Sequence, residues 1–414
     1  MNFRYLAITA LVVTQWALPV AADSTGGTRH TLYFGALSDD FLGRAERYDT
    51  LAFSSASLSG QMDQGRLGLS YTLGVKQQLR NDDPEAALRF DASLQLGQNW
   101  RIGVGVKDRH WSPSQYTSLA ISRNAEPAPA AYLSFSAPQA NGRLLSWLGP
   151  TRGDIFIGVT DDPGQPDNAK FAGFRFAASP IAGLEIDLFR MIQYGGAGQP
   201  DGLGTLFDIF VGDTNTGANA AANQLAGVGL SYSLPGFADA NGARIYTQIA
   251  GEDEAGGLPS CPFFLVGAEW KTNLWGRAST LTVERVDTRT QGGAGGNCGT
   301  NQAYNNANYS YRNKGVVMGA AIGTQSVSTV LYGEHDMDAW SLDWSVGTYS
   351  INEESFAQHS LSSTAQSGEI VTIGASRPVN RGTLSGILAY QSFDLDTAGQ
   401  DAGVRVGVAY SARF

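Results

Sequence analysis

The sequence predicts an all-β chain closed into a transmembrane, antiparallel, up-and-down β-barrel of about eighteen strands, with long extracellular loops partly filling the lumen. Three observations carry this: a two-residue alternation that recurs along the chain, the lack of any long apolar run, and connections that are short on one rim and long on the other. The carboxyl end shows the alternation best. Phe414, Ala412, Tyr410, Val408, Val406 and Val404 form one face; Arg413, Ser411, Ala409, Gly407, Arg405 and Gly403 form the other. A period of two with one apolar side is a half-buried strand. Stopping on an aromatic residue suits the closing strand of an outer-membrane barrel, whose interface girdles are aromatic. Phe414 is therefore expected to engage the barrel-assembly machinery, and the apolar faces to meet outer-membrane lipid.

Composition agrees. Of 414 residues 43% are hydrophobic and only 16% charged, and 51 are glycine, a residue that weakens helices. Mean hydropathy is −0.15, and beyond the amino terminus no window holds the roughly 18–20 unbroken apolar residues of a spanning helix. A barrel escapes that test because alternation hides its hydrophobicity. At the amino terminus Arg4, the apolar run 5–13 and Leu18-Pro19-Val20-Ala21-Ala22 read as a signal peptide over 1–22 cut after Ala22, the alternative being a buried helix. The expected location is the outer membrane of a Gram-negative cell. A net charge of −10 without a basic stripe excludes nucleic acid as a partner. The four histidines are scattered, so neither metal nor cofactor is expected.

Taken in order, the alternation places strands near 31–36, 51–59, 66–76, 87–97, 99–108, 131–137, 153–161, 169–178 and 182–192. The rest fall near 224–233, 243–251, 263–271, 280–289, 327–336, 339–351, 369–377, 383–393 and 403–414. Residues 23–64 are weakly patterned and are set apart as an amino-terminal segment carrying the first strands; 65–414 form the barrel proper. Inward faces carry Arg, Asp, Lys and Glu at mid-strand, as a wet lumen would. Prolines fall between the runs, where a missing N–H breaks no ladder. With the carboxyl end on the periplasmic side, tight turns stay on one rim only if 117–123, 203–211 and 315–322 do not span. Leu203, Leu206, Phe207 and Phe210 repeat at helical spacing, which makes the second of these a loop helix. This parity puts Cys261 and Cys298 in outer-rim loops beside strands 263–271 and 280–289, and they are expected to be bridged, two free thiols being the alternative.

Ordered motifs then carry a resemblance. Val106-Lys107-Asp108-Arg109-His110-Trp111-Ser112-Pro113, Ser118-Leu119-Ala120-Ile121-Ser122-Arg123-Asn124-Ala125-Glu126-Pro127 and Leu145-Ser146-Trp147-Leu148-Gly149-Pro150 come first. Phe171-Ala172-Gly173-Phe174-Arg175, residues 184–196, Leu206-Phe207-Asp208-Ile209-Phe210-Val211-Gly212 and Gly251-Glu252-Asp253-Glu254 follow. The set resembles the Wzi capsule-assembly family over about two thirds of the chain. The resemblance implies a lectin-like outer-membrane barrel that binds capsular or exopolysaccharide and helps hold it at the cell surface, neither an enzyme nor an export pore. Two features depart from the family. His110-Trp111-Ser112-Pro113 stands where the family has Trp-Trp-Gly-Pro, and the periplasmic helical part is reduced, residues 37–48 being the one possible remnant.

A saccharide binder needs planar polar groups and aromatic faces in a cleft. Arg109, Trp111, Asn124 and Glu126 supply such a set in one outer excursion, and Arg190, Gln193 and Tyr194 another; packing of the loops is the competing reading for both. Glu252 and Glu254 join the candidate glycan contacts. Glu252 shares a strand face with Tyr246, Gln248 and Ala250 and should enter the lumen, where Arg175, Arg190 or Arg285 could pair it in a structural network. Carboxylates about 5–10 Å apart could instead hydrolyse a glycosidic bond, but nothing beyond the acids themselves favours that. His110 beside Ser112 lacks the third, orienting group of a hydrolytic triad, so no catalytic residue is assigned. A porin or sugar channel remains the alternative, decided by whether 109–130 and 193–223 fold into the lumen.

Overall fold

The computed structural model describes residues 29–48, 54–77, 85–138, 146–210, 222–234, 242–255, 258–290, 298–306 and 308–413. The signal-peptide region 1–22 and Phe414 lie outside these. The first strands are β1 (Arg29–Leu37), β2 (Ser54–Gln64), β3 (Leu67–Gln77), β4 (Glu85–Leu96), β5 (Trp100–Val106) and β6 (Ala130–Ala137). Next come β7 (Thr151–Thr160), β8 (Ala169–Ala178), β9 (Leu184–Tyr194), β10 (Ala222–Leu234), β11 (Ala243–Ala255), β12 (Leu258–Leu274) and β13 (Arg277–Asp287). A two-stranded ribbon, β14 (Arg312–Asn313) and β15 (Val316–Val317), precedes β16 (Val327–Asp336), β17 (Ser341–Ile351), β18 (Gln366–Val379), β19 (Gly382–Gln391) and β20 (Gly403–Arg413). Among the described residues, two short α-helices, α1 (Arg44–Tyr48) and α2 (Leu203–Phe210), lie in the connections.

All strands but the ribbon join one 18-stranded antiparallel sheet, closed where β1 pairs with β20 from Thr31↔Arg413 to Leu37↔Gly407. Closure leaves no unpaired edge, the condition for crossing a membrane with strands. Leu73, Leu88, Val104, Leu188, Val266, Val346, Val404 and Val408 are exposed on the outer wall, as a lipid-facing band requires. Near the rim with short turns, Trp100, Trp147, Trp270, Trp275 and Trp340 are exposed too, the position of an interface girdle.

Connections sort as parity demands. Two-residue turns such as Trp275-Gly276, both at positive φ, fit a type I′ hairpin. The long connections after β1, β5, β9, β13 and β17 leave the opposite rim. The described residues of the three segments, 117–123, 203–210 and 315–322, do not span.

The first strands, expected near 31–36 and 51–59, are β1 and β2 of the closed sheet. Two expectations change, and so do the bounds of β2: residues 38–48, from the stretch 37–48 expected as the one possible periplasmic remnant, leave the long-loop rim, and prolines enter two strands. Strand β2 is described from Ser54 to Gln64, past the expected end near 59, because its Ser-, Gly- and Gln-rich stretch has no apolar alternation to mark its bounds. Its register comes from pairing with β1 and β3. Pro259 and Pro262 lie inside β12 and Pro378 inside β18; they sit beside a bulge and a turn, where a missing N–H is tolerated.

Candidate functional site

An eighteen-stranded wall is too wide for its own side chains to fill, and here the outer excursions fill it. Residues 107–129 and 298–326 are sewn together inside the lumen. Ser122 N–H donates to the Met318 carbonyl at 2.8 Å and Ser122 Oγ to Gly319 at 2.7 Å. Asn124 Nδ2 reaches the Val317 carbonyl at 2.9 Å, and Asn313 Nδ2 the Glu126 carbonyl at 2.8 Å. Tyr304 and Tyr311 stack at 5.5 Å, and their hydroxyls donate to the carbonyls of Leu119 and Ala120 at 2.9 and 2.8 Å.

The plug is tied to the wall as firmly. Gln248 on β11 accepts from Leu119 N–H and donates to the Trp111 carbonyl, both at 2.7 Å. Tyr116 donates to Glu334 at 2.8 Å and stacks on Tyr332 at 3.7 Å. Asp162 holds Ser310 Oγ and Gly315 N–H at 2.7 Å each. Residues 38–48 fold inward beside them: Phe41 and Leu42 are buried, and Leu42 N–H donates to Gln391 Oε1 at 3.1 Å. Cavities of about 40 and 20 Å³ remain along the plug, room for a few waters and not for a sugar.

The residues chosen from sequence fare differently. Trp111 is 3% exposed, edge-on to Phe156 at 5.4 Å. Glycine at 173 makes this seat possible, since a Cβ there would strike both rings. Trp111 is thus a packing residue of the plug. Arg109 is also buried, its guanidinium 4.2 Å from the Phe156 ring centre, and Nε and Nη2 find no hydrogen-bond partner among the described residues. Burial pulls its pKa down while Asp154 opposes.

Asn124 is spent on the Val317 carbonyl. Glu126 lies on the outward part of the plug between Lys76 and Lys314, the latter at 2.8 Å. Burial raises its pKa, but the bonds from the two lysines hold it at about 2.

Arg190, Gln193 and Tyr194 do not converge. Gln193 turns into the lumen and bonds Gln165 at 2.8 Å, whereas Arg190 and Tyr194 share the outer face of β9. Glu252 enters the lumen as expected and accepts the Tyr304 backbone N–H at 2.7 Å. The arginines considered as its partners bond elsewhere: Arg175 to Asp187, Arg190 to Gln224 and Arg285 to Thr329. Glu254 belongs to β11, and its side chain lies outside the described residues. Cys261 and Cys298 form a disulfide, with Cα atoms 5.3 Å apart, that ties 288–326 to the bulge in β12. His110 Nε2 and the Ser114 carbonyl lie 2.8 Å apart, and Ser112 Oγ accepts Ser114 N–H, so each serves its own loop.

The tyrosines of 298–313 and the buried acid of α1 have no role assigned from sequence. Tyr304, Tyr309 and Tyr311, recurring in a stretch rich in Asn and Gly, were the available signal. Glu46 is buried beside Tyr332 and Tyr349, and burial pushes its carboxyl up to about 8 against the pull of the Ser122 hydroxyl, Glu284 adding to the rise. A carboxyl near 4.5 when unfolded therefore gains a proton on folding between about 4.5 and 8. Plug stability should be greatest below that window and fall as pH rises through it. Glu46→Gln should flatten the profile and gain roughly 2–4 kcal/mol at pH 8, read as hydrogen-exchange protection of 298–326.

Residues 53–339, which include both halves of the plug, match the family described as capsule assembly protein Wzi. The chain belongs to the Wzi capsule-assembly family. A 55.8 kDa protein of the cps region of Klebsiella pneumoniae is 34% identical over 213 residues, 49% of this Wzi-family chain and 41% of that protein. The chain thus matches less than half the length of that relative. A solved barrel, described as the outer-membrane protein Wzi involved in group 1 capsule assembly in Escherichia coli and as carbohydrate-binding, superposes with TM-score 0.78 at 22% identity. That superposition covers 94% of this chain and 85% of that one. Pseudomonas aeruginosa OprD superposes less well, with TM-score 0.54 at 11% identity over 94% and 95% of the two chains. The Wzi family accords with an outer-membrane location and with the eighteen-stranded wall.

Proposed function

We propose that this Wzi-family barrel binds capsular or exopolysaccharide at its outer mouth, in a lectin-like manner, and helps attach that polymer to the cell surface. The observation that carries the reading is the plug. Two excursions hydrogen-bonded to each other and to the wall occupy the lumen and offer a rigid platform. The porin reading shares the barrel but needs the lumen these residues occupy.

On the platform, Glu126 clamped by Lys76 and Lys314 presents charge-assisted donors and an acceptor to sugar hydroxyls, with the buried Arg109 lining the same small cavity and Asn124 two residues away in the same excursion. Trp111, Gln193, Glu252 and the disulfide keep that surface in place, and Glu254, near the outer end of β11, is proposed as a further glycan contact. Catalysis has no assigned residue. Outer-membrane lipid contacts the apolar band, and the barrel-assembly machinery reads the β20 end at Phe414. Residues 1–22 direct export.

A glycan array of purified capsular and exopolysaccharides tests the reading. Selective binding is expected, weakened roughly tenfold or more by Lys314→Ala or Glu126→Gln, since a charge-assisted hydrogen bond contributes about 1.5–3 kcal/mol. No binding to any polymer, with the protein folded, would overturn it.

A further inference from the structure

Near the outer rim, the outside of β8, β9 and β10 is covered. Leu188 on β9 faces out and is exposed, while Phe189 and Met191 pack into the lumen core. Arg190, Ile192 and Tyr194 must therefore share the outer face of Leu188. Yet Ile192 is 0% and Tyr194 1% exposed, and with Ala172 and Ala222 they form an apolar cluster closed by Ile209 and Leu206 of α2. Helix α2 lies against the outside of the wall.

Arg190 confirms the side. Its Nη2 donates to the Ile209 carbonyl at 3.3 Å and its Nε to Gln224 Oε1 at 3.1 Å. A lipid-facing guanidinium is thereby supplied with acceptors, one of them from the last turn of α2, whose carbonyls have no intrahelical donor.

The depth follows from strand geometry. From Leu184 to Tyr194 the wall climbs about 26 Å along the membrane normal, at about 3.4 Å per residue and a tilt near 40°, close to the whole apolar band of such barrels. The strip under α2 is the outer end of that band. On the flank of the helix, roughly 100° round from the Leu206–Ile209 side, Leu203 is 79% and Phe207 65% exposed; four residues apart, they form one apolar ridge. Exposed Asp208 beside Phe207, and Asp201, 4.0 Å from Lys170, mark the polar boundary.

We propose that α2 is an interfacial helix that lays Leu203 and Phe207 among the acyl chains of the outer-leaflet lipid surrounding the barrel. The helix packs at the outer end of the lipid-facing band of β8–β10, and the continuity of its exposed apolar residues with that band selects lipid as the occupant over a second protein. The platform above β8–β10 is thus held at a fixed height by the membrane itself. This inference rests on the barrel spanning a membrane and stands independently of glycan binding.

Spin labels test it, because both native cysteines are bridged and a single introduced cysteine can be labelled. Leu203→Cys, Phe207→Cys, Leu188→Cys as the lipid reference and Glu354→Cys as the water reference are reconstituted in phospholipid vesicles. Accessibility to oxygen and to a water-soluble nickel chelate is then compared, folding being verified by heat-modifiable gel mobility. The labels at 203 and 207 should favour oxygen, with a depth parameter of the same sign as Leu188 and opposite to Glu354. Chelate accessibility matching Glu354, or dipolar broadening that reports a second copy at the ridge, would overturn the proposal. If both labels prevented folding, the same readout with Phe207→Trp and brominated lipid decides: quenching of the added fluorescence supports it, and no quenching sinks it.

Discussion

Replacing Tyr304 with alanine should cost about 4 kcal/mol of plug stability, in the range for deleting a large buried aromatic ring, while the barrel wall stays folded. The ring packs edge-on against Phe263 at 5.2 Å and stacks on Tyr311, joining wall to plug. Its hydroxyl donates to Leu119 and accepts from Ala320 N–H at 3.2 Å, and its own N–H is held by Glu252. One residue thus touches both excursions and β11. The loss should appear as faster hydrogen exchange in 107–129 and 298–326 with unchanged protection of the strands. Tyr304→Phe keeps the ring and drops only the hydroxyl, so a smaller loss of about 1–3 kcal/mol is expected. Unchanged protection in Tyr304→Ala would mean that the two excursions hold without their shared aromatic centre.

The second large effect belongs to the disulfide. Cys261 and Cys298 are 37 residues apart, and in the chain-entropy picture closing a loop of that length contributes about 4 kcal/mol. Cys298→Ser should therefore loosen 288–326, and reductant should do the same to the wild type. Proteolysis would show it as cleavage within 288–326 before any loss of the barrel's heat-modifiable mobility. Because Glu252 and Tyr304 anchor the same excursion, Cys298→Ser and Tyr304→Ala should be less than additive. Equal protease resistance of oxidised and reduced protein would show that the plug holds without the bridge.

How much of this was legible in the sequence depends on whether periodicity could report it. The strands with alternating Leu, Val and Ile, such as β3, β4 and β20, declared both their existence and their outward faces, because a wall with lipid on one side imposes a period of two. Strand β2 did not, since its Ser and Gly residues show no apolar face and its place is fixed by its neighbours. The rim carrying Cys261 and Cys298 followed from parity, and so did the non-spanning segments.

The site was harder to read for a different reason. A loop has no period, so an aromatic such as Trp111 carries the same signal whether it grips a ligand or fills a lumen, and here it fills. An arginine partner suggests itself for Glu252 because side-chain charges are visible in a sequence, whereas the backbone N–H of Tyr304 that it accepts is not. Arg190 and Gln193 are close along the strand, yet an odd spacing sends them to opposite faces. Helix α2 had its helical spacing visible, but not that its two apolar flanks serve different neighbours, the wall and the space outside it.

The most direct test of the account is the conductance of the purified protein in a planar bilayer. A lumen filled by 38–48, 107–129 and 298–326 should give insertion without sustained openings, and Tyr304→Ala should add openings to that silent background. Large, stable channels from the wild-type protein would contradict the closed platform and return the chain to the diffusion porins.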